Sequence, residues 1–526
     1  NQFTFELSNC YSFSAKVEAS LLNVCIPILI IYKLPAIYDA LSISLRKVYW
    51  ALGLCIVLLS TPFSSAAGND IKLPILGDSS SGIISKQQEY QLGRTWLKVF
   101  RSRVQDFDDP LMQDYLENLI YNLATYSELE DPRIELIIVN NPSMNAFAVP
   151  GGVIGIHTGI FAFAENEDQM VSVLAHELAH LSQRHFARGL EAQRSSSALS
   201  LAGLLAGLVL AATVGGDAGM AAMAATQAMS LENQLRYSRS NEKEADRFGL
   251  RTMEKSGRDP GAVGDMFETM LKRARYAGDR APEFLLTHPV TEKRIADARG
   301  RAMGSSMRHY PDNSDYYLMQ ARAQVAMTKN QKDNIKRFNT KLDANAQQRN
   351  AAIYGLALSY LTSGNVDAAR DLMEALLKKD PNHQIYNYTA IELDMADEQY
   401  EQALTKLAFL VSRNPGNYPL LSLQAETLWL DHQYEEASLA LTELARSRNQ
   451  DPMVWYRLAE VRGLAGNISG VHEARAEYFI LVGAFGLARE QLGLAQTLVT
   501  PDFKRSSIVR QRLRDVIGME EKAKRL

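Results

Sequence analysis

Cysteine is nearly missing from this sequence. Of 526 residues only three are cysteine, at positions 10, 25 and 55, so everything beyond position 55 has none. That removes thiolate nucleophiles, cysteine metal ligands and disulfide staples from the body of the protein. A large net charge is missing too. The 56 Lys and Arg against 60 Asp and Glu leave −4, which provides no bulk attraction for nucleic acid, and no nucleic-acid partner is expected. Apolar content of 46% and charged content of 22% are those of a globular protein, and the length predicts more than one domain.

Apolar runs of the roughly 20 residues that span a bilayer are also lacking. Val48 to Leu59, about a dozen residues behind Arg46 and Lys47, leads into Ser64-Ser65-Ala66-Ala67. This predicts a cleavable secretory signal ending near Ala66 or Ala67, and therefore export. Residues 1–45 do not fit that pattern. They read as translated sequence upstream of the true start, with an extra membrane segment over 21–38 as the alternative. A second apolar stretch, Ala198 to Val214, is broken by Gly215-Gly216-Asp217 and resumes to Met229. It is expected to be an apolar lid over a cleft, touching a membrane surface or a nonpolar substrate. A spanning helix is the rival reading.

What is there begins with Ala175-His176-Glu177-Leu178-Ala179-His180. Histidines four apart share a helix face and can share a tetrahedral metal, with Glu177 beside them to hold a water. Glu165, Glu167 and Asp168 crowd the preceding turn, where carboxylates suit a helix start, so one helix is expected from Asp168 to about Arg188. His185, five residues after His180, should point to another face and be structural or solvated. Upstream, Arg133 to Val139 and Met144 to Val149 read as strands. The second runs into Pro150-Gly151-Gly152, which reverses the chain into Val153 to His157. Asn145, Ala146, Phe147 and Ala148 are the candidates for an edge that takes an extended substrate, against the alternative of an ordinary half-buried edge strand. His157 is expected in the core.

No glycine and histidine follow at positions 183 and 186, so one extended form of the motif is excluded and a third ligand must come from elsewhere. Glu242 and Asp246 lie four apart in a helical stretch, with small Ala245 allowing close approach. Glu242 can ligate, and Asp246 can accept a hydrogen bond that orients a ligating histidine. Glu244 falls on roughly the opposite side.

These segments, with Ser238-Arg239, Glu242 to Asp246 and Asn145 to Gly152, resemble the M48 family of zinc metallopeptidases over roughly residues 85–300. The resemblance implies one Zn2+, with His176, His180 and Glu242 as ligands, Glu177 as catalytic base and Asp246 as a further functional acid. His288, in Thr287-His288-Pro289 ahead of Arg294-Ile295, also matches the family. It is expected either to fill the metal's fourth position in a latent state or to stabilise the oxyanion.

Beyond residue 310 the pattern changes. Asn365 to Ala369, Gln399 to Ala403 and Gln433 to Ala437 recur every 34 residues, and Ala484 to Ala488 suggests one more unit. This period, with its aromatic, alanine and proline positions, resembles tetratricopeptide repeats. The expected fold is therefore α+β and mostly helical. A leader (1–67) precedes a zincin-like metallopeptidase domain with a small β-sheet (68–305), and an all-α repeat solenoid (310–526) follows. An exported M48 peptidase with such repeats implies periplasmic degradation of stalled outer-membrane β-barrel proteins, chaperone-like help with their assembly, and contact with the β-barrel assembly machinery. A binding scaffold that rarely cleaves, or a membrane-anchored peptidase, are the rival readings. The cysteine-free body means that no redox-linked behaviour of relatives carries over.

Overall fold

Local capping rules set the first elements. In the computed structural model, which describes residues 84–104, 106–192, 231–276, 282–305 and 309–525, helix α1 (Lys86–Arg101) starts from Ser85. Ser85 and Gln88 close a reciprocal capping box there. Asp109 caps α2 (Pro110–Tyr126), where the proline occupies a position whose N–H needs no partner. The leader and the apolar stretch 198–229 lie outside the described residues. Among the described residues no helix is long and apolar enough to cross a membrane.

Three short strands follow: β1 (Glu135–Val139), β2 (Ala146–Val149) and β3 (Val153–His157). Their order is β1-β3-β2, with β1 parallel and β2 antiparallel to the central β3. Gly151 and Gly152, both at φ 82°, make the reversal between β2 and β3. Side chains alternate cleanly. Ile137, Val139, Phe147, Val149 and Val153 pack with Trp96 and Phe100 of α1. Leu136, Ile138, Ala146, Ile154 and Ile156 join the main core on the other face. His157 is fully buried, as expected, with Nδ1 3.1 Å from Ser143 Oγ.

After a short α3 (Ile160–Phe163), helix α4 (Glu167–Ser182) carries the H-E-x-x-H motif. It ends earlier than the sequence reading had it. Arg184 adopts φ 50°, and its buried guanidinium donates to Glu89 Oε2 at 2.9 Å and to the Ile84 carbonyl at 2.7 Å. Those two acceptors turn the chain, and a separate helix α5 (His185–Ala192) begins. Then come α6 (Leu231–Lys255), α7 (Gly261–Tyr276), α8 (Glu283–Thr287) and α9 (Glu292–Ala302).

The rest is helical. Helices α10 (Ser314–Met327) and α11 (Gln331–Asn339) lead into five antiparallel pairs. These are α12 (Ala346–Thr362) with α13 (Val366–Lys379), α14 (Gln384–Ala396) with α15 (Tyr400–Arg413), and α16 (Tyr418–Leu430) with α17 (Tyr434–Ser447). The last two are α18 (Pro452–Leu464) with α19 (Ile468–Leu481), and α20 (Phe485–Leu498) with α21 (Phe503–Arg525). Ala369, Ala403 and Ala437 sit at equivalent places and are completely buried, because a methyl group is all that the close helix crossing admits.

The turn within each of the first four pairs shows the same economy. Gly364, Glu398, His432 and Gly466 occupy one repeat position, and all four have φ between 57° and 80°. A side chain in that left-handed region costs roughly 1–2 kcal/mol, partly offset in glycine by its larger backbone entropy loss. Glu398 is exposed at this turn, so Glu398→Gly should stabilise the chain by about 0.5–1 kcal/mol. A lower thermal midpoint for that variant would contradict the strain argument.

Candidate metal centre

The site is assembled from one interior helix, one facing helix and one loop. Asn166 caps α4, and Glu167 and Asp168 occupy its first turn, so its register is fixed well before His176. Nearly every residue from Glu167 to Ala179 is buried. Helix α6 crosses it closely: Ala245 is fully buried, and a Cβ on Gly249 would come 3.1 Å from the backbone of Ala175 and His176. The loop after α8 brings in His288, which stacks on buried Phe284.

Four side chains converge, those of His176, His180, Glu242 and His288, with one donor atom of each within 4.8 Å of the others. His176 Nε2 lies 3.1 Å from His180 Nε2, 3.3 Å from His288 Nδ1 and 3.3 Å from Glu242 Oε2. Glu242 Oε1 lies 3.4 Å from His180 Nε2 and 3.0 Å from His288 Nδ1. Lone pairs gathered this tightly repel unless a cation or shared protons lie between them. A tetrahedral ion with ligands at about 2.0–2.1 Å would hold its ligand atoms about 3.3–3.4 Å apart, close to these separations. The residues fit a metal.

Glu177 adjoins this group. It is 1% exposed, its Oε1 is 3.5 Å from His288 Nε2, and that oxygen has no hydrogen-bond partner among the described residues. Burial pushes its carboxyl above the usual range, opposed by His288 and His176 and by the backbone N–H of Ala148. A carboxyl raised in this way is suited to taking and returning a proton.

A model of peptidase family M48 matches residues 110–302. The beta-barrel assembly-enhancing protease of Escherichia coli (strain K12) is 32% identical over 432 residues, spanning 81% of this chain and 87% of its own. The chain belongs to peptidase family M48. The protein of the same name in Yersinia pestis is 30% identical over 458 residues, 83% of this chain and 93% of its own. The mitochondrial metalloendopeptidase OMA1 of Schizosaccharomyces pombe is 30% identical over 181 residues, 34% of this chain and 50% of its own. The protein is thus a metallopeptidase, and among the described residues this His/Glu group could hold the metal.

Asp246 of this M48 chain stands behind the donor group, its Oδ1 3.1 Å from His176 Nδ1. Burial works against its charge, but His176 and Arg294 outweigh it and hold its pKa below the usual value. Burial likewise opposes charge on His176, yet Asp246 and Glu242 raise that imidazole to about 10. The edge-strand candidates divide. Ala148 turns its N–H to Glu177, whereas the Phe147 ring lies over Gly155 and packs 5.8 Å from Trp96. Phe147 therefore offers an extended peptide only its backbone. Asn145 and Ala146 are buried, and Asn145 Nδ2 donates to Glu283 Oε2 at 3.3 Å.

Two residues escaped the sequence reading. His185 does not point away from the site: its Nδ1 lies 2.9 Å from His180 Nδ1, because the chain turns at Arg184. Arg294 is 6% exposed and forks onto Asp246 at 2.7 and 2.6 Å, with Nη1 3.0 Å from Glu242 Oε2. The Arg-Ile pair after His288 was the signal for it, but no spacing rule connects position 294 with 242 and 246. Removing this cation would leave two largely buried carboxylates facing only the imidazoles of the site. Arg294→Met should therefore cost about 3–5 kcal/mol, read as a lowered denaturation midpoint of the metal-stripped chain. An unchanged midpoint would mean that the guanidinium does not balance them.

Proposed function

We propose that this protein is a zinc-dependent endopeptidase of the periplasm that removes misassembled outer-membrane β-barrel proteins and assists the assembly of others. The convergence of His176, His180 and Glu242 beside the buried Glu177 carries the reading. His176, His180 and Glu242 hold the ion. Zinc bound there supplies Lewis acidity toward the scissile carbonyl and lowers the pKa of a bound water. Glu177 takes the proton of the attacking water and passes it to the leaving amine, its carboxyl raised by burial and partly drawn back by His288, His176 and the Ala148 N–H. Asp246 holds the ring of His176, and Arg294 holds Asp246. The substrate lies extended along the Asn145–Ala148 edge and is presented by the repeat array.

The 32% identity over four-fifths of the chain with the beta-barrel assembly-enhancing protease supports the substrate class, and the secretory-signal pattern of residues 46–67 supports the compartment. Stalled β-barrel precursors and the β-barrel assembly machinery are the partners this implies. Glu177→Gln should retain zinc and fold while losing cleavage of an unfolded β-barrel substrate by about 100- to 10,000-fold, the range expected when a general base is lost. Cleavage that survives in that variant would remove Glu177 from the mechanism.

His288 gives this enzyme a resting state. With Nδ1 3.3 Å from His176 and 3.0 Å from Glu242, it would compete with a catalytic water for a metal held there. His288→Ala should therefore raise basal cleavage of an unfolded substrate several-fold, measured at saturating zinc. A fall in activity would instead make His288 a group that stabilises the oxyanion.

A further inference from the structure

The two helix-borne histidines of the site are backed differently. His176 meets a carboxylate directly, Asp246 Oδ1 at 3.1 Å from its Nδ1. His180 meets another imidazole: its Nδ1 faces His185 Nδ1 at 2.9 Å, with the rings near perpendicular at 80°. His185 is itself buried, and its Nε2 lies 3.3 Å from Glu244 Oε2. Glu244 in turn accepts from Arg188 Nη2 at 2.5 Å, on the same short helix as His185.

Proton bookkeeping gives this chain one direction. If Nε2 of His180 offers its lone pair to a metal, its Nδ1 carries the hydrogen and must donate. His185 Nδ1 must then accept, which places the hydrogen of His185 on Nε2. That hydrogen points at the Glu244 carboxylate, and Arg188 balances the charge. Every atom in the series has a role consistent with its neighbour, and no other described side chain is hydrogen-bonded to His180 Nδ1.

We propose that His185 is the positioning residue for His180, holding its ring orientation and tautomer through the series His180–His185–Glu244–Arg188. The inference rests on the metal reading of the site above. It gives Glu244 a task distinct from those of Glu242 and Asp246 on the same helix: Glu242 faces the metal position, Asp246 backs one histidine, and Glu244 backs the other through a relay. A neutral imidazole supports its partner less firmly than a carboxylate does. Loss of the relay should therefore be felt as weaker metal retention rather than as collapse of the fold.

The test is zinc binding by the full chain, stripped of metal and titrated with Zn2+ in competition with a chromophoric chelator. His185→Ala should weaken zinc binding about 10- to 100-fold, the range for loss of a group that orients a ligand. His185→Asn, whose Oδ1 can accept where Nδ1 did, should recover most of that loss. Glu244→Gln should weaken binding by a smaller factor and guards against misfolding of the alanine variant. A purely packing role for His185 would predict equal weakening in the alanine and asparagine variants, and that result overturns the proposal. So does wild-type affinity in His185→Ala and Glu244→Gln alike. If the wild-type chain binds no zinc, the metal reading itself falls, an outcome distinct from either of these.

Discussion

The distance between α4 and α6 governs the site. Helix α6 can bring Glu242 to His176 and His180 only because Ala245 and Gly249 face α4 with almost no side chain. At Gly249 even a methyl group would press within 3.1 Å of the α4 backbone. This closeness also sets Asp246 against His176, so the same contact positions one proposed ligand and the group behind another. Larger residues at either place would separate the helices and remove both functions together. Packing, not the five-residue motif, is what turns two histidines and a distant glutamate into one centre.

That closeness has an electrostatic cost. Glu177, Glu242 and Asp246 are all buried within reach of His176, and desolvation is the largest influence on each carboxyl. Arg294 offsets it for two of them, and its own burial is matched by a fork of charge-assisted bonds and by the Pro289 carbonyl at 2.7 Å. Glu177 has no such cation and keeps an unbonded oxygen. The two carboxyls held below their usual range thus share an arginine, while the one pushed above it is left without, the division that the proposed mechanism asks for. Their environments, not their residue types, divide the labour.

Sequence spacing made much of this legible. The i, i+4 relation of His176 to His180 and of Glu242 to Asp246 is a local property of helices, and it brought the residues to the right faces. The 34-residue period likewise located the paired helices, whose second members begin at Val366, Tyr400, Tyr434 and Ile468. What could not be read were events caused by distant partners. The α4 helix stops at Ser182 because Glu89 and Ile84, about a hundred residues earlier, capture Arg184. His185 was assigned to the wrong face for that reason alone. Arg294 was visible only as part of a pattern, since its meaning lies in two carboxylates on another helix. Phe147 read as part of an edge strand, which it is, but the burial of its ring beneath α1 depends on Gly155 opposite.

The same contrast between chain order and packing applies to the repeats. The change of composition near residue 310 marks where the sequence pattern switches, but the core does not stop there. Tyr316 of α10 is fully buried, stacks on Phe161 at 5.9 Å and donates to the Ala164 carbonyl. One apolar cluster takes in residues from both sides of that boundary, from Met112 to Leu393. Further along, polar contacts take over: Arg322 pairs with Asp109 and Glu392, Arg448 forks onto Glu117 at 2.6 and 2.9 Å, and Arg457 reaches Asp108. Asp108, Asp109 and Glu117 all lie on α2 or the loop leading into it, and α1 adds to this face, with Lys98 over the Phe485 ring and Arg101 donating to the Gln450 carbonyl at 3.1 Å. Cutting the chain at the composition boundary would expose Phe161 and strand several half-buried charges. The first repeats are therefore structural members of the peptidase, while the later ones meet it through ion pairs together with smaller apolar contacts, such as Leu111 against the cluster of Leu420 and Leu423.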